Sequence, residues 1–500
     1  MKKIALFLAA MLAGMGLCCA QQTMWVTTGH VQYGFDTQQV GTMTYSAGGD
    51  SLTIQNKTFA VSDIDSIHVA SGLMEYNTVL VTYADTTAHL LVAGNIADRV
   101  TVTVDGAHVS VLQDSVLVNE EIFYTLKGSS ADGSFYQHGD FKATLILNGL
   151  TLTSTRGAAI TIDDGKRIEI QVNEGTVNTL ADCEKGTQKG CFVVEGHAEF
   201  KGEGTLILTG NSKHGFKGDE YVEFKKSFLG SLIVKNAVGD GLNTNQYLEM
   251  KAGNLIVEQC GGDGVQVDKK SDNTKPNNGQ LIMSGGVLRV LATGDEGRAL
   301  KIEDLVTING GIIEATSVDN AINSKGSINI NGGNIYAYSS GGNGIHAAVN
   351  LTVAGGTIVA YGASTTGYGI RGANRLVISG GTVAAMGAMS STPKSATTNQ
   401  PALVYKGVLT QDTHLALSDS EGNAALALTV TRAYSSSKNH TLLLTSPAIA
   451  VGTTYTLASG ATIDTEADNW HSLYGGEAVT APGERPLGSA TAAIPYATLQ

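Results

Sequence analysis

The sequence predicts an all-β protein built around a parallel β-helix. Of its 500 residues, 62 are glycine and only 7 are proline, while 42% are hydrophobic and 15% are charged. This composition is typical of many short buried strands that are joined by turns. The second observation is an internal repeat with a period of 22–26 residues, interrupted once by an interval of 33. A repeat of this length predicts a solenoid.

Composition and charge exclude several classes of protein. The formal charge is −13 and no basic face stands out, which argues against a nucleic-acid partner. Glycine does not recur at every third position, so collagen is excluded, and the chain is too apolar to be a disordered tail. Beyond the first twenty residues, no apolar run approaches the roughly 18 residues that a membrane helix needs. We therefore expect no membrane span.

Residues 1–20 are expected to be a secretory signal peptide. Two lysines form a basic start, an apolar segment follows, and Cys18-Cys19-Ala20 offers a cleavage site of small residues. Lipidation of Cys18 or Cys19 is the alternative, which the bulky Leu17 disfavours. Cleavage after Ala20 predicts an exported protein of formal charge −15, located outside the cell, at its surface or in the periplasm.

Three cysteines remain after the signal peptide: Cys183, Cys191 and Cys260. An odd number rules out a fully paired disulfide framework. Cys183 and Cys191 flank a polar loop, so a disulfide between them is one interpretation. Burial as three small apolar side chains is the other.

Three signals recur together in the repeat. A glycine that begins an aliphatic strand occurs at Gly204, Gly230, Gly253, Gly286, Gly311, Gly333, Gly356 and Gly381. A small residue followed by an apolar one, and an alternating strand that ends in glycine, run in step with it. Three strands per repeat describe one coil of a parallel β-helix, in which residues such as Leu255 and Val257 point into the core. A β-sandwich is disfavoured because two-residue hairpin turns are missing.

The repeat also divides the chain into segments. Caps are expected at both ends, because the open ends of a solenoid would pair with other chains. A loop near 72–77 is expected to join an N-terminal module to the solenoid. The expected segments are a small β N-terminal module at 21–75, a parallel β-helix at 95–390 with an N-terminal cap over about 95–150, a β-rich C-terminal cap at 400–480 and a tail at 481–500.

The region from about Ala143 to Leu457 resembles a known family. The resemblance rests on Leu147-Asn-Gly-Leu-Thr-Leu152, Gly157-Ala-Ala-Ile160, Gly239-Asp-Gly-Leu242 and Gly262-Asp-Gly-Val265. These segments are similar to the bacterial carbohydrate-binding parallel β-helix family, which includes a clostridial cellulose- and polygalacturonate-binding protein. The resemblance implies a right-handed, pectate-lyase-like solenoid that binds acidic polysaccharide and calcium without a known lytic activity. The module at 21–75 resembles small units that are common in exported Bacteroidetes proteins.

Two aspartates on adjacent coils form the candidate metal site. Asp240 and Asp263 precede the same small-apolar signal, so they are expected about 5 Å apart. Two carboxylates at that spacing repel unless a cation bridges them, and the oxygen-rich surroundings suit calcium. The candidate ligands are Asp240, Asp263, Asp268, Asn243 and Asp295. The alternative is a ladder of turn residues that holds no metal.

The next column outward is the candidate carbohydrate-binding site, formed by Lys217, Asn243, Gln266, Lys301, Asn323, His346 and Arg371. Amide and basic side chains at coil spacing would meet successive sugars, with cations opposite uronate carboxylates. Polar residues that merely keep a face soluble are the alternative. A third column of Tyr338, Tyr361 and Met386, with Tyr336 alongside, would form either a sugar platform or a seat for the C-terminal cap.

Catalysis is the competing functional hypothesis. The acid and base pair of pectin hydrolases is missing, since the nearest motifs are Asn243-Thr-Asn245 and Lys213-His-Gly215. A calcium-dependent polysaccharide lyase would need a base, and the only candidate is Arg298, whose guanidinium stays protonated. We therefore expect a non-catalytic carbohydrate-binding protein. A lyase and a structural surface or adhesin rod are the alternatives.

Overall fold

The computed structural model describes residues 21–394, 397–435 and 441–500. The expected signal peptide, with Cys18 and Cys19, lies outside the described residues. Within those ranges the protein is all β, apart from three short 3-10 segments at Val61–Asp63, Gly94–Ile96 and Gly476–Ala478. None of the described segments is a helix long and apolar enough to cross a membrane.

A β-solenoid of about eleven turns confirms the predicted fold class. Each turn adds one strand to each of three stacks, and strands of successive turns pair in parallel. The first stack contains Ala107–Gln113, Gly133–His138, Ile160–Asp163, Gly190–Val194, His214–Gly218, Leu242–Thr244, Val265–Val267, Leu300–Ile302, Ile322–Ser324, Ile345–Ala347 and Ile370–Gly372.

Two long strands, Ile122–Ser130 and Ala143–Thr153, begin both of the other stacks. The second stack continues with Arg167–Val172, His197–Gly202, Val222–Phe228, Tyr247–Met250, Gln280–Met283, Val306–Ile308, Ile328–Ile330, Asn350–Val353 and Arg375–Ile378. The third stack continues with Val177–Ala181, Thr205–Gly210, Ser231–Ala237, Asn254–Cys260, Val287–Ala292, Ile312–Ser317, Asn334–Ser339, Thr357–Tyr361 and Thr382–Met386.

Alternation along the strands fills the interior of the solenoid. Leu255 and Val257 are buried, as predicted, and Leu255 lies in register with Leu288 of the next turn. Each such side chain contributes about 1.5–3 kcal/mol when it leaves water. The described cysteines Cys183 and Cys191 are also buried and are not joined to each other, so the disulfide interpretation is wrong and they act as small apolar side chains.

The N-terminal strands belong to the same sheet and core as the solenoid. The strands are Gln22–Thr28, Val31–Asp36, Thr44–Tyr45, Ser51–Ile54, Lys57–Ala60, Ser66–Ser71, Thr78–Ala84, Thr87–Ala93 and Val100–Asp105. Val31–Asp36 pairs in parallel with Thr87–Ala93, and Thr78–Ala84 pairs in parallel with Ile122–Ser130. The predicted boundary at 75 therefore does not separate an independent module. The hairpin at 78–93 joins the N-terminal strands and the solenoid into one sheet, and its valines are buried in the shared core.

The C-terminal cap, defined here as residues 402–499, covers the end of the third stack. It contains Ala402–Tyr405, His414–Asp419, Ala424–Thr429, Leu442–Thr445, Thr454–Ser459, Thr462–Ile463, Asn469–Trp470, Leu473–Gly475, Val479–Ala481, Arg485–Thr491 and Ala497–Leu499. Leu442–Thr445 pairs antiparallel with Thr382–Met386, the last strand of the third stack. The predicted tail at 481–500 is part of this cap, because Arg485–Thr491 pairs with Thr454–Ser459.

The tyrosine column packs against this cap. Tyr361 and Met386 are fully buried in a cluster with leucines of the cap. The guanidinium carbon of Arg432 lies 5.3 Å from the centre of the Tyr338 ring, and the hydroxyl of Tyr434 donates to the carbonyl of Gly362 at 2.8 Å. The buried Tyr361 ring cannot stack on a sugar from solvent, and the half-buried Tyr336 and Tyr338 pack against the same cap cluster, so this column holds the cap in place.

Candidate functional site

The seven predicted carbohydrate-binding residues form one continuous column on the outward side of the first stack, here called the first-stack ladder. Their Cα atoms are register partners in sequence order, from Lys217 with Asn243 to His346 with Arg371. From Leu242–Thr244 onward each is the middle residue of a three-residue strand, so its side chain leaves the sheet on the side opposite to its core-facing neighbours. Asn243 and Asn323 are nevertheless buried within the ladder. Six strand spacings of about 4.8 Å give the ladder a length of roughly 29 Å.

The ammonium group of Lys217, at one end of the ladder, is already bonded to other side chains of the protein. Its Nζ donates to Oδ1 of Asn243 at 2.7 Å and to Oδ1 of Asn245 at 2.6 Å, and it lies 3.1 Å from Oδ1 of Asp219. Only 8% of the side chain is exposed. Burial lowers the pKa of Lys217, an effect that Asp219 opposes. This lysine therefore organises neighbouring coils and presents little charge to solvent.

The two predicted calcium ligands Asp240 and Asp263 join successive coils. Oδ1 of Asp240 accepts the backbone N–H of Asp263 at 2.9 Å, and Oδ1 of Asp263 accepts the backbone N–H of Arg298 at 3.0 Å. The other oxygens are used as well: Oδ2 of Asp240 accepts from Nδ2 of Asn243 at 2.8 Å, and Oδ2 of Asp263 lies 2.9 Å from Nζ of Lys301. Burial raises the pKa of Asp240.

The same bond recurs further along the column with asparagine in place of aspartate. Oδ1 of Asn320 accepts the backbone N–H of Asn343, and Oδ1 of Asn343 accepts that of Tyr368, both at 2.9 Å. A neutral amide oxygen performs this role as well as a carboxylate, so the bond needs no cation. This arrangement matches the turn-ladder interpretation of the column.

The predicted ligands do not converge on a single cation. Both oxygens of Asp268 accept from Nε2 of Gln266 at 2.7 Å, and Asp295 is exposed. Across residues 21–394, 397–435 and 441–500, no group of three His, Cys, Asp or Glu side chains is placed to hold a metal ion. In this arrangement the ammonium of Lys301 supplies the positive charge beside Asp263. Protein donors thus occupy the carboxylate oxygens that calcium would use, and calcium binding stays a prediction.

The other end of the ladder, formed by Asn323, His346 and Arg371, carries unused hydrogen-bonding groups. Nδ1 of His346 donates to Oδ1 of Asn323 at 2.9 Å, which leaves Nε2 as an acceptor. Burial and the charge of Arg371 lower the pKa of His346, so its ring is neutral at pH 7. The Arg371 guanidinium carbon lies 5.0 Å from the centre of the Tyr368 ring. No carboxylate in the described part of the chain pairs with Arg371.

Arg298, the predicted lyase base, is held in an ion pair. Its Nη2 lies 2.7 Å from Oδ2 of Asp319. This contact directs the guanidinium toward a carboxylate of the protein itself. The geometry therefore lends no support to proton abstraction by this residue.

A ladder on the second stack went unpredicted. The rings of His197, Tyr221 and Tyr247 stack face to face, with centroids 4.3 and 4.7 Å apart. Beside them Nζ of Lys225 donates to Oε2 of Glu199 at 2.9 Å. A signal existed, since each ring immediately precedes the first buried residue of its strand at intervals of 24 and 26 residues. Stacked rings present only their edges to solvent, so this ladder stabilises the face.

Comparison with known proteins now identifies the family. The profile of a family described as carbohydrate-binding domain-containing protein matches residues 112–391, more than half of the chain. The chain belongs to this family. The matched region contains the whole first-stack ladder, and the predicted family is confirmed at this level. The resemblance of 21–75 to exported Bacteroidetes units stays a prediction.

Two relatives are similar over part of the chain. A carbohydrate-binding domain-containing protein of Acetivibrio thermocellus is 28% identical over 122 residues, which cover 22% of this chain and 42% of that protein. A solved structure, the gadolinium derivative of a polysaccharide lyase-like protein from C. thermocellum, is 20% identical. It covers 50% of this chain and 96% of its own, with a TM-score of 0.42. At this distance neither relative transfers a substrate to this chain.

Proposed function

We propose that the protein binds an acidic, uronate-containing polysaccharide without cleaving it, and that the Arg371 end of the first-stack ladder contacts the polymer. Membership of the carbohydrate-binding family supports a glycan partner. The observation that supports an acidic polysaccharide is Arg371. Its guanidinium lies over the Tyr368 ring and has no carboxylate partner in the described ranges. A guanidinium can grip a carboxylate through two parallel hydrogen bonds.

The neighbouring ladder residues suit the rest of a sugar chain. Nε2 of His346 is an acceptor for a sugar hydroxyl, and Nδ2 of Asn323 has no acceptor among the described residues. These groups lie on successive strands about 4.8 Å apart. A polymer that runs along the solenoid axis would therefore meet a hydrogen-bonding group at each coil.

The other half of the ladder has a supporting role in this proposal. Lys217 pairs with Asp219, and Lys301 pairs with Asp263. These ion pairs stabilise the part of the first stack that precedes the Arg371 end. Calcium and export stay predictions. Because protein donors occupy the oxygens of Asp240 and Asp263, a calcium ion would have to displace them, and loss of binding in a chelator is the result that would support calcium.

The decisive experiment compares two arginines of the same coil. Arg371→Ala removes the proposed uronate contact, whereas Arg375→Ala removes an exposed charge on the second stack. Calorimetry with an oligogalacturonate should show an affinity loss of roughly tenfold or more for Arg371→Ala, since hydrogen bonds to charged groups contribute about 1.5–3 kcal/mol. Arg375→Ala should bind as the parent protein does.

Equal affinity of all three proteins would contradict the proposed site. The same titration with calcium and with chelator tests the calcium prediction separately. A polysaccharide lyase would release unsaturated products that absorb in the ultraviolet, and we expect none. A structural rod would bind none of the glycans tried.

A further inference from the structure

A cleft lies between the third stack and the C-terminal cap. Its solenoid wall lies within residues 112–391, which the carbohydrate-binding family profile matches, whereas its cap wall lies beyond them. Its volume is about 300 Å³, at the lower end of the range for small-molecule sites. One wall belongs to the solenoid and the other to the cap. It lies on a different stack from the Arg371 end of the first-stack ladder.

The solenoid wall is a row of polar side chains. Asn334, Thr357 and Thr382 are register partners on three successive coils, about 4.8 Å apart. Neither the side-chain amide of Asn334 nor the hydroxyl of Thr357 has a hydrogen-bond partner in the described part of the chain, and Oγ1 of Thr382 lies 3.5 Å from Oγ of Ser446. This wall therefore offers both donors and acceptors at a regular spacing.

The cap wall is aromatic and apolar. Trp470, Leu473 and Tyr474 line it, and the Trp470 ring is half-buried. The indole N–H of Trp470 is covered from solvent and has no acceptor among residues 21–394, 397–435 and 441–500. The half-buried ring therefore presents its carbon atoms, and not its N–H, to the cleft as an apolar surface.

Trp470 is held in place by a strained turn. The two residues that follow it, His471 and Ser472, have positive φ angles of 45° and 64°. The His471 ring stacks on Tyr336 with 3.8 Å between centroids, and its Nε2 lies 3.2 Å from Oε1 of Glu314. Both partners are on the third stack. Strained backbone that its surroundings hold in place is concentrated at ligand sites.

We propose that this cleft is a second carbohydrate-binding site and that it takes one or two residues of a neutral glycan. The apolar face of a sugar ring would pack against Trp470, and its hydroxyls would bond to Asn334 and Thr357. Asp468 is the only charged residue in the lining, and its negative charge disfavours a uronate. The ligand class therefore differs from that of the first-stack ladder.

The protein contains only two tryptophans, which allows a direct test. Trp25 lies in the N-terminal strand Gln22–Thr28, so Trp25→Phe leaves Trp470 as the sole indole. Titration of this variant with cellohexaose, xylohexaose and mannohexaose should give a saturable change of tryptophan emission for at least one sugar. Trigalacturonate should give none. Silence with all three neutral sugars up to about 10 mM, or an equal response to trigalacturonate, would overturn the proposal.

Further variants separate the two sites by calorimetry. In the otherwise unchanged protein, Trp470→Ala should weaken the neutral sugar roughly tenfold or more. Asn334→Ala is an exposed change on the solenoid wall that keeps the cap intact, and it should weaken binding several-fold. Arg371→Ala should leave neutral-sugar affinity unchanged, and a parallel loss in that variant would contradict two independent sites.

Discussion

At the scale of single residues, the coil spacing places like charges close together and the protein compensates them with its own cations. Asp263 lies one coil from Asp240, and Nζ of Lys301 reaches both Oδ2 of Asp263 and Oε1 of Gln266. Spacing in the sequence indicates which residues are neighbours, but it does not indicate where the flexible end of a lysine lies. For that reason the sequence predicts a cation beside these aspartates but does not indicate that the Lys301 ammonium lies beside Asp263.

Asp164 gives a prediction about pH. It is buried, and burial raises its pKa to about 6, with a smaller contribution from Asp140 that Lys166 opposes. The folded protein thus keeps this proton up to about pH 6, whereas the unfolded chain releases it near pH 4. The unfolded state binds fewer protons in that window, so the free energy of unfolding falls as pH rises from about 4 to 6, by about 2–3 kcal/mol.

Asp164→Asn should remove this dependence and stabilise the protein at pH 7. The amide oxygen can still accept the Lys166 backbone N–H that Asp164 now accepts at 2.9 Å. Urea unfolding at pH 4, 5, 6 and 7 measures the effect. Asp85→Asn is the control, because that side chain is exposed and has no hydrogen-bond partner in the described ranges. A parent and an Asp164→Asn protein with parallel pH profiles would refute the burial argument.

At the scale of single strands and turns, the repeating glycines set the register of the coils. Gly333 begins a third-stack strand with φ of 88°, and a Cβ there would lie 2.8 Å from the Gly311 carbonyl oxygen. Because the glycine period fixes where each strand begins, the three stacks and the first-stack ladder were predictable from the sequence. The hairpin at 78–93 lies outside that period, so the continuity of the N-terminal strands with the solenoid was not predictable.

Gly333→Ala should therefore destabilise the protein by about 1–3 kcal/mol, through the unfavourable backbone angle and the contact with the coil before it. The matched control is Gly165→Ala, where a Cβ would meet nothing within 4 Å and where φ is not positive. That change should stay within about 0.5 kcal/mol of the parent. Chemical denaturation compares the two. Equal stabilities of both variants would show that the corner glycines are dispensable.

At the scale of the whole molecule, the solenoid is closed at both ends by strands that its period does not describe. Leu442–Thr445 pairs with the last strand of the third stack, and Ala497–Leu499 pairs with Ala402–Tyr405. Long-range pairing of this kind depends on which edge each strand meets, and no local pattern encodes that. This explains why residues 481–500 were predicted as a tail although they complete the cap.

Removal of the C-terminal cap should cause aggregation. A chain that ends at residue 391 exposes the edge of Thr382–Met386 together with the apolar surface around Tyr361. An open, apolar strand edge pairs with other chains. Light scattering of the purified truncated protein should reveal large assemblies that the full chain does not form. A truncated protein that scatters as the full chain does would contradict this role of the cap.

The most direct measurement on the central claim is a crystal structure of the full-length protein bound to an oligogalacturonate. We expect a sugar chain on the outward side of the first stack, with a uronate carboxylate about 3 Å from the guanidinium nitrogens of Arg371. A chain that lies elsewhere on the solenoid, or one that occupies only the cleft beside Trp470, would contradict the assignment of acidic polysaccharide to the first-stack ladder.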